Sequence, residues 1–469
     1  MFKRRKKRRD MADVNVYTAR RLNEMAQSLS LLARTCRETA DQGRGLTRDD
    51  AMAAMQTAAA MVCGGCNKCN LYRDAEKDDS YYLYYLLRAF EQKGHVEFED
   101  MPRFFLETCR RREDYVGQLN RNLGRATMNL EWKNRFLESR DTVMVQFREL
   151  AVMLEEFACQ MEQATDITEQ KSEAVKRVFR ANHMVIENLL LLEYENHQRE
   201  AYLTVRTVKN RCVTAREAAE LLGQALGNRG WYAPRDTRAL VTRQAATLRF
   251  SEAGNYRMTY GIARIGKGGE QVSGDNYTYS GNLPGQVIMS LSDGMGSGEL
   301  AAQESQRVVE LAQQLLESGF SARSALKMVN TILLLSGQQH PATLDLACVD
   351  LHTGVLESMK LGAAATFILG AEGVEILEAG EVPAGVICPV EPVLLSRKLW
   401  DDDRVVMVTD GVLDACPGAD KEASLKTFIE DMPMKNPQDM AERILRFACQ
   451  NSEEIRDDMT VLTVGVWKR

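Results

Sequence analysis

VIMSLSDGMGSG, residues Val287–Gly298, runs from an apolar segment into a glycine-rich turn. Val287, Ile288, Met289 and Leu291 have the length and make-up of a buried strand. Gly294, Gly296 and Gly298 mark a tight turn, and Glu299 opens a helical pattern. The spacing puts the Asp293 carboxylate at the end of a core strand, beside backbone free to approach a ligand closely. A lone Asp-Gly would be an ordinary turn. The design recurs in VVMVTDG, Val405–Gly411, with Asp410 after an apolar run. Ser273-Gly274-Asp275-Asn276 lies upstream, and Arg456-Asp457-Asp458-Met459-Thr460 precedes a last apolar strand, Val461–Val466. Hard divalent cations such as magnesium and manganese take oxygen ligands. Two of them close together activate water and stabilise phosphoryl transfer.

The rest of the chemistry is sparse. No Cys-x5-Arg motif offers a thiolate nucleophile, and none of the five histidines lies in an acidic motif. A histidine-phosphate or Ser-His-Asp mechanism is therefore disfavoured. Metal-activated water, with no side-chain nucleophile, fits what is present.

The constellation resembles the metal-dependent protein phosphatase family (PPM, the protein phosphatase 2C type). Within it the resemblance is to the bacterial sporulation branch, the stage II sporulation protein E (SpoIIE) family. It rests on VSGDNY at 272–277, SDGMGSG at 292–298, ATLDL at 342–346 and LGAAATFIL at 361–369. VPAGV at 382–386, VTDGVLDA at 408–415 and RDDMTVL at 456–462 follow in order. The resemblance implies an α-β-β-α sandwich with its metals at one end, between the sheets. It implies two divalent ions, manganese or magnesium, bridged by Asp293. Asp410 and Asp457 would complete one site; Asp275 and the main-chain carbonyl of Gly294 would serve the other. Asp457 rather than Asp458 matches the ligand position, and Asp414 reads as a helix-turn carboxylate. No basic residue matches the phosphate-binding arginine of the eukaryotic branch.

The implied function is a protein serine phosphatase of sporulation. Its substrate would be a phosphorylated anti-anti-sigma factor of the SpoIIAA kind, whose release activates sigma-F. The family also associates with FtsZ at the polar septum. Two other readings stay open: a stress-response phosphatase of the RsbU kind, and a catalytically inactive division-site scaffold. Retention of all four acidic motifs counts against the scaffold.

Composition bounds the rest. The 469 residues are enough for two or three domains. Hydrophobic content of 45% and charged content of 27% suit a folded chain. A net charge of −6 excludes a general nucleic-acid binder. No apolar run reaches the length of a membrane span. The N-terminus MFKRRKKRRD has a basic run but no apolar core of a signal peptide. Eleven cysteines without an export signal read as reduced thiols, and a cytoplasmic location follows. Lys3–Arg9 reads as a solvated tail, as a contact for anionic membrane surface, or as the cytoplasmic flank of the multi-span region that SpoIIE proteins usually carry.

The fold class expected is α+β, with residues 1–11 a basic tail, 12–186 a helical regulatory region, 187–245 a small α/β module and 246–469 the phosphatase domain. Leu22, Met25, Leu29, Leu32 and Cys36 keep helical spacing, as do Val143, Phe147, Leu150, Leu154, Phe157 and Met161. These seams suit an internal bundle or self-association with a second copy. Cys63, Cys66 and Cys69 have zinc-ligand spacing, with Cys109 or His95 as fourth ligand; ordinary thiols are the alternative. Leu189–Tyr194 and Ala201–Val205 read as a hairpin. Thr214 and Glu217 make a capping box before a helix to Leu226. In the phosphatase region helices are expected at Glu299–Leu316 and Ser321–Leu335, with strands at Tyr256–Ile265, Leu344–Asp350, Val355–Leu361 and Ala365–Leu369.

Overall fold

The computed structural model describes residues 2–37, 45–64, 66, 81–194, 198–208, 212–227, 230–234, 237–269, 272–296, 298–335, 341–378, 382–386, 390, 392–432, 436–452 and 454–469. They form two compact units, residues 32–144 and residues 1–31 with 145–469.

Residues 256–468 are built on two five-stranded antiparallel sheets. The first runs in the order Leu394–Lys398, Val355–Leu361, Leu344–Asp350, Gln286–Asp293, Asp275–Ser280. The second runs Gly373–Leu377, Thr366–Gly370, Arg404–Val408, Met459–Lys468, Tyr256–Ile265. Val287, Met289 and Leu291 point between the sheets, where they meet Val405, Met407, Leu462 and Val464. Ile288, between them in sequence, points the other way, against Val308, Ala312, Leu326 and Val329 of the helices Glu299–Glu317 and Ala322–Leu335. Both faces of the strand are covered, so it reads as a continuous apolar run rather than an alternating one. The second sheet is covered likewise by Lys421–Glu430 and Pro437–Asn451, through Leu425, Ile429, Met440 and Ile444. The layers are helix, sheet, sheet, helix, as the resemblance implied.

Ahead of these layers a third five-stranded sheet contains the expected hairpin, Met184–Glu193 with Arg199–Thr207. It packs on the helices Thr168–Ala181 and Ala215–Leu226. Thr214 caps the second helix reciprocally with Glu217. Here the domain boundaries move. Ala246–Glu252, expected to open the phosphatase domain, pairs with Arg199–Thr207 instead. The module therefore runs from Thr165 to Glu252, and Thr168–Ala181 belongs to it rather than to the helical region. Period-two patterning identifies a strand but not the sheet that receives it.

In the unit of residues 32–144, the helices Arg48–Val62 and Tyr81–Lys93 bury Met55, Ala58, Leu83 and Leu86 with Phe105, Tyr115 and Leu119. Thr47 and Asp50 form a capping box at the start of the first. The basic run falls inside a helix, Phe2–Arg37, rather than in a tail. Along that helix the buried line is Ala19, Ala26 and Ala33, while Met25 and Leu32 of the expected seam are about half exposed. The seam around Val143–Met161 lies on a single helix, Arg112–Gln163. Its Leu150 and Met153 pack into the helix layer of the first phosphatase sheet. Glu149 accepts a hydrogen bond from Ser324 at 2.6 Å.

Candidate metal centre

Antiparallel register brings the first two acidic motifs together: Asp293 and Asp275 are direct partners on neighbouring strands. The other two are joined by close backbone contact. A Cβ on Gly411 would lie 2.1 Å from the Asp458 carbonyl oxygen and 3.3 Å from the Asp457 Cβ. Only glycine lets the segment holding Asp410 lie against the one holding Asp457. Gly294 is under the same constraint, because a Cβ there would lie 2.3 Å from the carbonyl oxygen of Ala301. The first turn of Glu299–Glu317 is thus pressed against the turn after Asp293.

Hydroxyls and amides fix the carboxylates. The Thr409 Oγ1 donates to Asp275 Oδ2 at 3.0 Å and accepts from the Thr460 amide at 2.9 Å. The Asp293 amide donates to Thr343 Oγ1 at 2.9 Å, and the Thr343 amide returns a bond to the Asp293 carbonyl at 2.9 Å. Asp410 Oδ1 accepts from the Gly411 amide at 2.8 Å. Asn276 donates to the Ala302 carbonyl and to Ser305 Oγ, both at 2.8 Å. Ser305 also bonds the Gly274 carbonyl. These contacts tie the helix Glu299–Glu317 to the loop that carries Asp275.

Asp457 and Asp458 part company here. Asp458 is 3% exposed, and its two oxygens accept the amides of Lys267 and Gly274, each at 2.7 Å. Its carboxylate is used up in clamping loops. Asp414 lies with Asp410, Leu413 and Lys421 along an open groove of about 460 Å³. Lys421 is held by the carbonyls of Asp414 and Cys416.

Without a counter-charge, this crowding acts on the carboxyls themselves. Burial, then Asp275 and Asp410, push the Asp293 carboxyl up to about 9. Burial raises Asp275 to about 6 and raises Asp410. Asp293 lies close enough to Asp275, Asp410 and Asp457 for their charges to raise its carboxyl further. Asp275 Oδ1 is buried with no hydrogen-bond partner. An all-oxygen donor set with an orphaned acceptor and carboxyls raised by crowding suits hard divalent cations. Among the described residues no three His, Cys, Asp or Glu side chains stand ready-made as a metal site.

The cysteine expectation falls partly outside the described residues. Cys63 and Cys109 are half-buried against the apolar core of their unit, Cys66 is exposed, and Cys69 lies outside the described residues. His95 is exposed and contacts Lys93 and Glu97. Sequence reasoning missed Thr343, Thr409 and Asp345. Thr343 and Asp345 lie in ATLDL and Thr409 in VTDGVLDA, but their roles depend on register rather than on spacing.

The layers and the carboxylate end define a PPM-type serine/threonine phosphatase domain, a class that depends on divalent metal. The model of the stage II sporulation protein E (SpoIIE) family matches residues 284–467, and that of the SpoIIE regulatory domain matches residues 6–229. The stage II sporulation protein E of Priestia megaterium is 25% identical over 398 residues, covering 83% of this chain and 67% of that protein. That of Bacillus subtilis (strain 168) is 30% identical over 220 residues, covering 46% of this chain and 27% of that protein. A solved structure of the PP2C phosphatase domain and a regulatory-domain fragment of Bacillus subtilis SpoIIE is 22% identical. It covers 71% of this chain and 98% of the solved one, with a TM-score of 0.49. Residues 6–229 and 284–467 thus match, in order, the two models of the SpoIIE family.

Proposed function

We propose that this chain hydrolyses phosphoserine on an anti-anti-sigma factor of the SpoIIAA kind and so activates sigma-F during sporulation. The observation that carries the chemistry is the meeting of Asp275, Asp293, Asp410 and Asp457 at one end of the sandwich. Asp293, the register partner of Asp275 and close enough to Asp410 and Asp457 to feel their charge, would bridge two ions. Asp410 and Asp457 would complete one site, and Asp275 with the Gly294 carbonyl the other. When bound, manganese or magnesium supplies an activated water and neutralises phosphate charge.

The chain's own residues do the remaining work. Thr409 and Thr343 hold Asp275 and Asp293 in register. Asp458 holds the Gly274 and Lys267 loops. The groove beside Asp410 receives the substrate segment. The residues matched by the regulatory-domain model support self-association and a septal partner such as FtsZ. Lys3–Arg9 supports contact with anionic membrane surface. Among the described residues no helix is long and apolar enough to cross a membrane.

The test is release of phosphate from the cognate phosphorylated anti-anti-sigma factor with manganese, and its loss on chelation. Turnover of a generic phosphoester but not of that protein would replace the substrate while keeping the enzyme class.

A further inference from the structure

Behind the carboxylates lies a second polar node, which the mechanism above leaves unused. Asp345 and Lys360 are direct cross-strand partners, 1% and 7% exposed. The Lys360 ammonium donates to Asp345 Oδ2, to the Ala364 carbonyl at 2.7 Å and to Thr366 Oγ1 at 2.7 Å. Thr366 Oγ1 in turn donates to Asp345 Oδ2 at 2.6 Å. All three ammonium donors are satisfied, and one carboxylate oxygen is fixed from two sides. The other, Asp345 Oδ1, is buried with no hydrogen-bond partner. Such an orphan is rare and asks for a cause. Asp345 lines a cavity of about 10 Å³ together with Asp293, Asp410, Thr343 and Thr409. That is room for one water with several polar neighbours.

We propose that Asp345 is a positioning residue of the metal centre, whose free Oδ1 accepts a hydrogen bond from a water enclosed in this cavity. The second hydrogen of that water goes to Asp293 or Asp410, and so orients a carboxylate of the site. Lys360 makes the arrangement affordable. It neutralises Asp345, so a further carboxylate stands near Asp293 without adding net charge. Through the Ala364 carbonyl it also pins the turn Gly362–Ala364, a wall shared by this cavity and the open groove. The inference rests on the reading that the four aspartates hold divalent ions. If the pair only joined two strands, well-packed apolar residues would replace it without loss.

The test uses the full chain and manganese alone, with binding measured by calorimetry. Asp345→Leu with Lys360→Met removes the charge pair and the acceptor together. Manganese affinity is expected to fall about tenfold or more, the scale of losses when partners of metal ligands are removed. Asp345→Asn with Lys360→Met restores a carbonyl acceptor without charge, and is expected to recover most of that affinity. Wild-type affinity in the Leu/Met variant overturns the proposal, and so does an equal loss in the Asn/Met variant. Should neither variant fold, a crystal structure of the wild-type chain with manganese decides. An ordered water within hydrogen-bond reach of Asp345 Oδ1 supports the proposal, and an empty cavity overturns it. A wild-type chain that binds no manganese would overturn the underlying metal reading, a separate and recognisable failure.

Discussion

Asp293 is buried among carboxylates, and two predictions follow from that placement. Asp293→Asn keeps the size and removes the shared anionic ligand. It should abolish turnover and manganese-induced stabilisation, yet raise the melting temperature of the metal-free protein near neutral pH, where the fold otherwise has to hold a proton on this crowded carboxyl. Full manganese-dependent turnover would sink the assignment. The second concerns pH. An unfolded aspartate titrates near about 3.9, whereas Asp293 in the fold is pushed up to about 9. Between those values the folded state holds more protons than the unfolded one. Stability is therefore full in acid and is lost as pH rises through that window. Calorimetric melting of the chelator-treated protein should show a falling transition temperature from about pH 5 to about pH 9. Manganese should oppose the fall increasingly as pH rises, because the deprotonated site binds it better. A metal-free profile that is flat across the window would refute the account.

Spacing makes Asp293 and Asp410 legible, because each follows an apolar strand and precedes a glycine, whereas Asp457 lies just ahead of the last apolar strand. Choosing Asp457 over Asp458 needed the family pattern; hydrogen bonding gives the physical reason, since the Lys267 and Gly274 amides occupy Asp458. Asp345 and Lys360 were not legible. Their meaning comes from being opposite each other across two strands, and nothing in a linear pattern fixes which residues oppose.

At the scale of elements, glycines decide how closely strand ends approach. Gly411→Ala would force a Cβ to within 2.1 Å of the Asp458 carbonyl. Separating the two segments should cost about 1–3 kcal/mol, the usual cost of overpacking. It should also weaken manganese binding, because Asp410 and Asp457 move apart. Gly418, where a Cβ meets nothing but φ is +91°, is a control for backbone strain alone. Gly418→Ala should lower the melting temperature with little change in manganese affinity, and equal losses of affinity would show that strain, not approach, controls the site. Strands bounded by turn residues were read to their ends, as at Tyr256–Ile265 and Leu344–Asp350. On Phe2–Arg37 the larger apolar side chains were misleading, since the buried line there is alanine.

At the scale of the molecule, the helix Arg112–Gln163 reaches the phosphatase layers directly, without the module as intermediary. Leu150 and Met153 pack with the core of the helices Glu299–Glu317 and Ala322–Leu335. Phe157 lies against the turn between them, 2.3 Å from where a Gly319 Cβ would stand. The first of these helices is pressed on Gly294 and bonded to the Asp275 loop through Ser305 and Asn276. A shift of that layer would move one carboxylate and one carbonyl together, and misplacement of about 1 Å can cost on the order of 10²-fold in rate. Coupling of this kind requires two states of different population, not adjacency alone. Leu150→Glu with Met153→Glu puts charge into the contact while leaving every carboxylate of the site unchanged. The manganese concentration needed for half-maximal turnover should rise several-fold, on the scale of a coupling energy of about 1–3 kcal/mol. Turnover should recover at saturating metal. The same half-maximal concentration in variant and wild type would show that the helix anchors the phosphatase layers without governing the site.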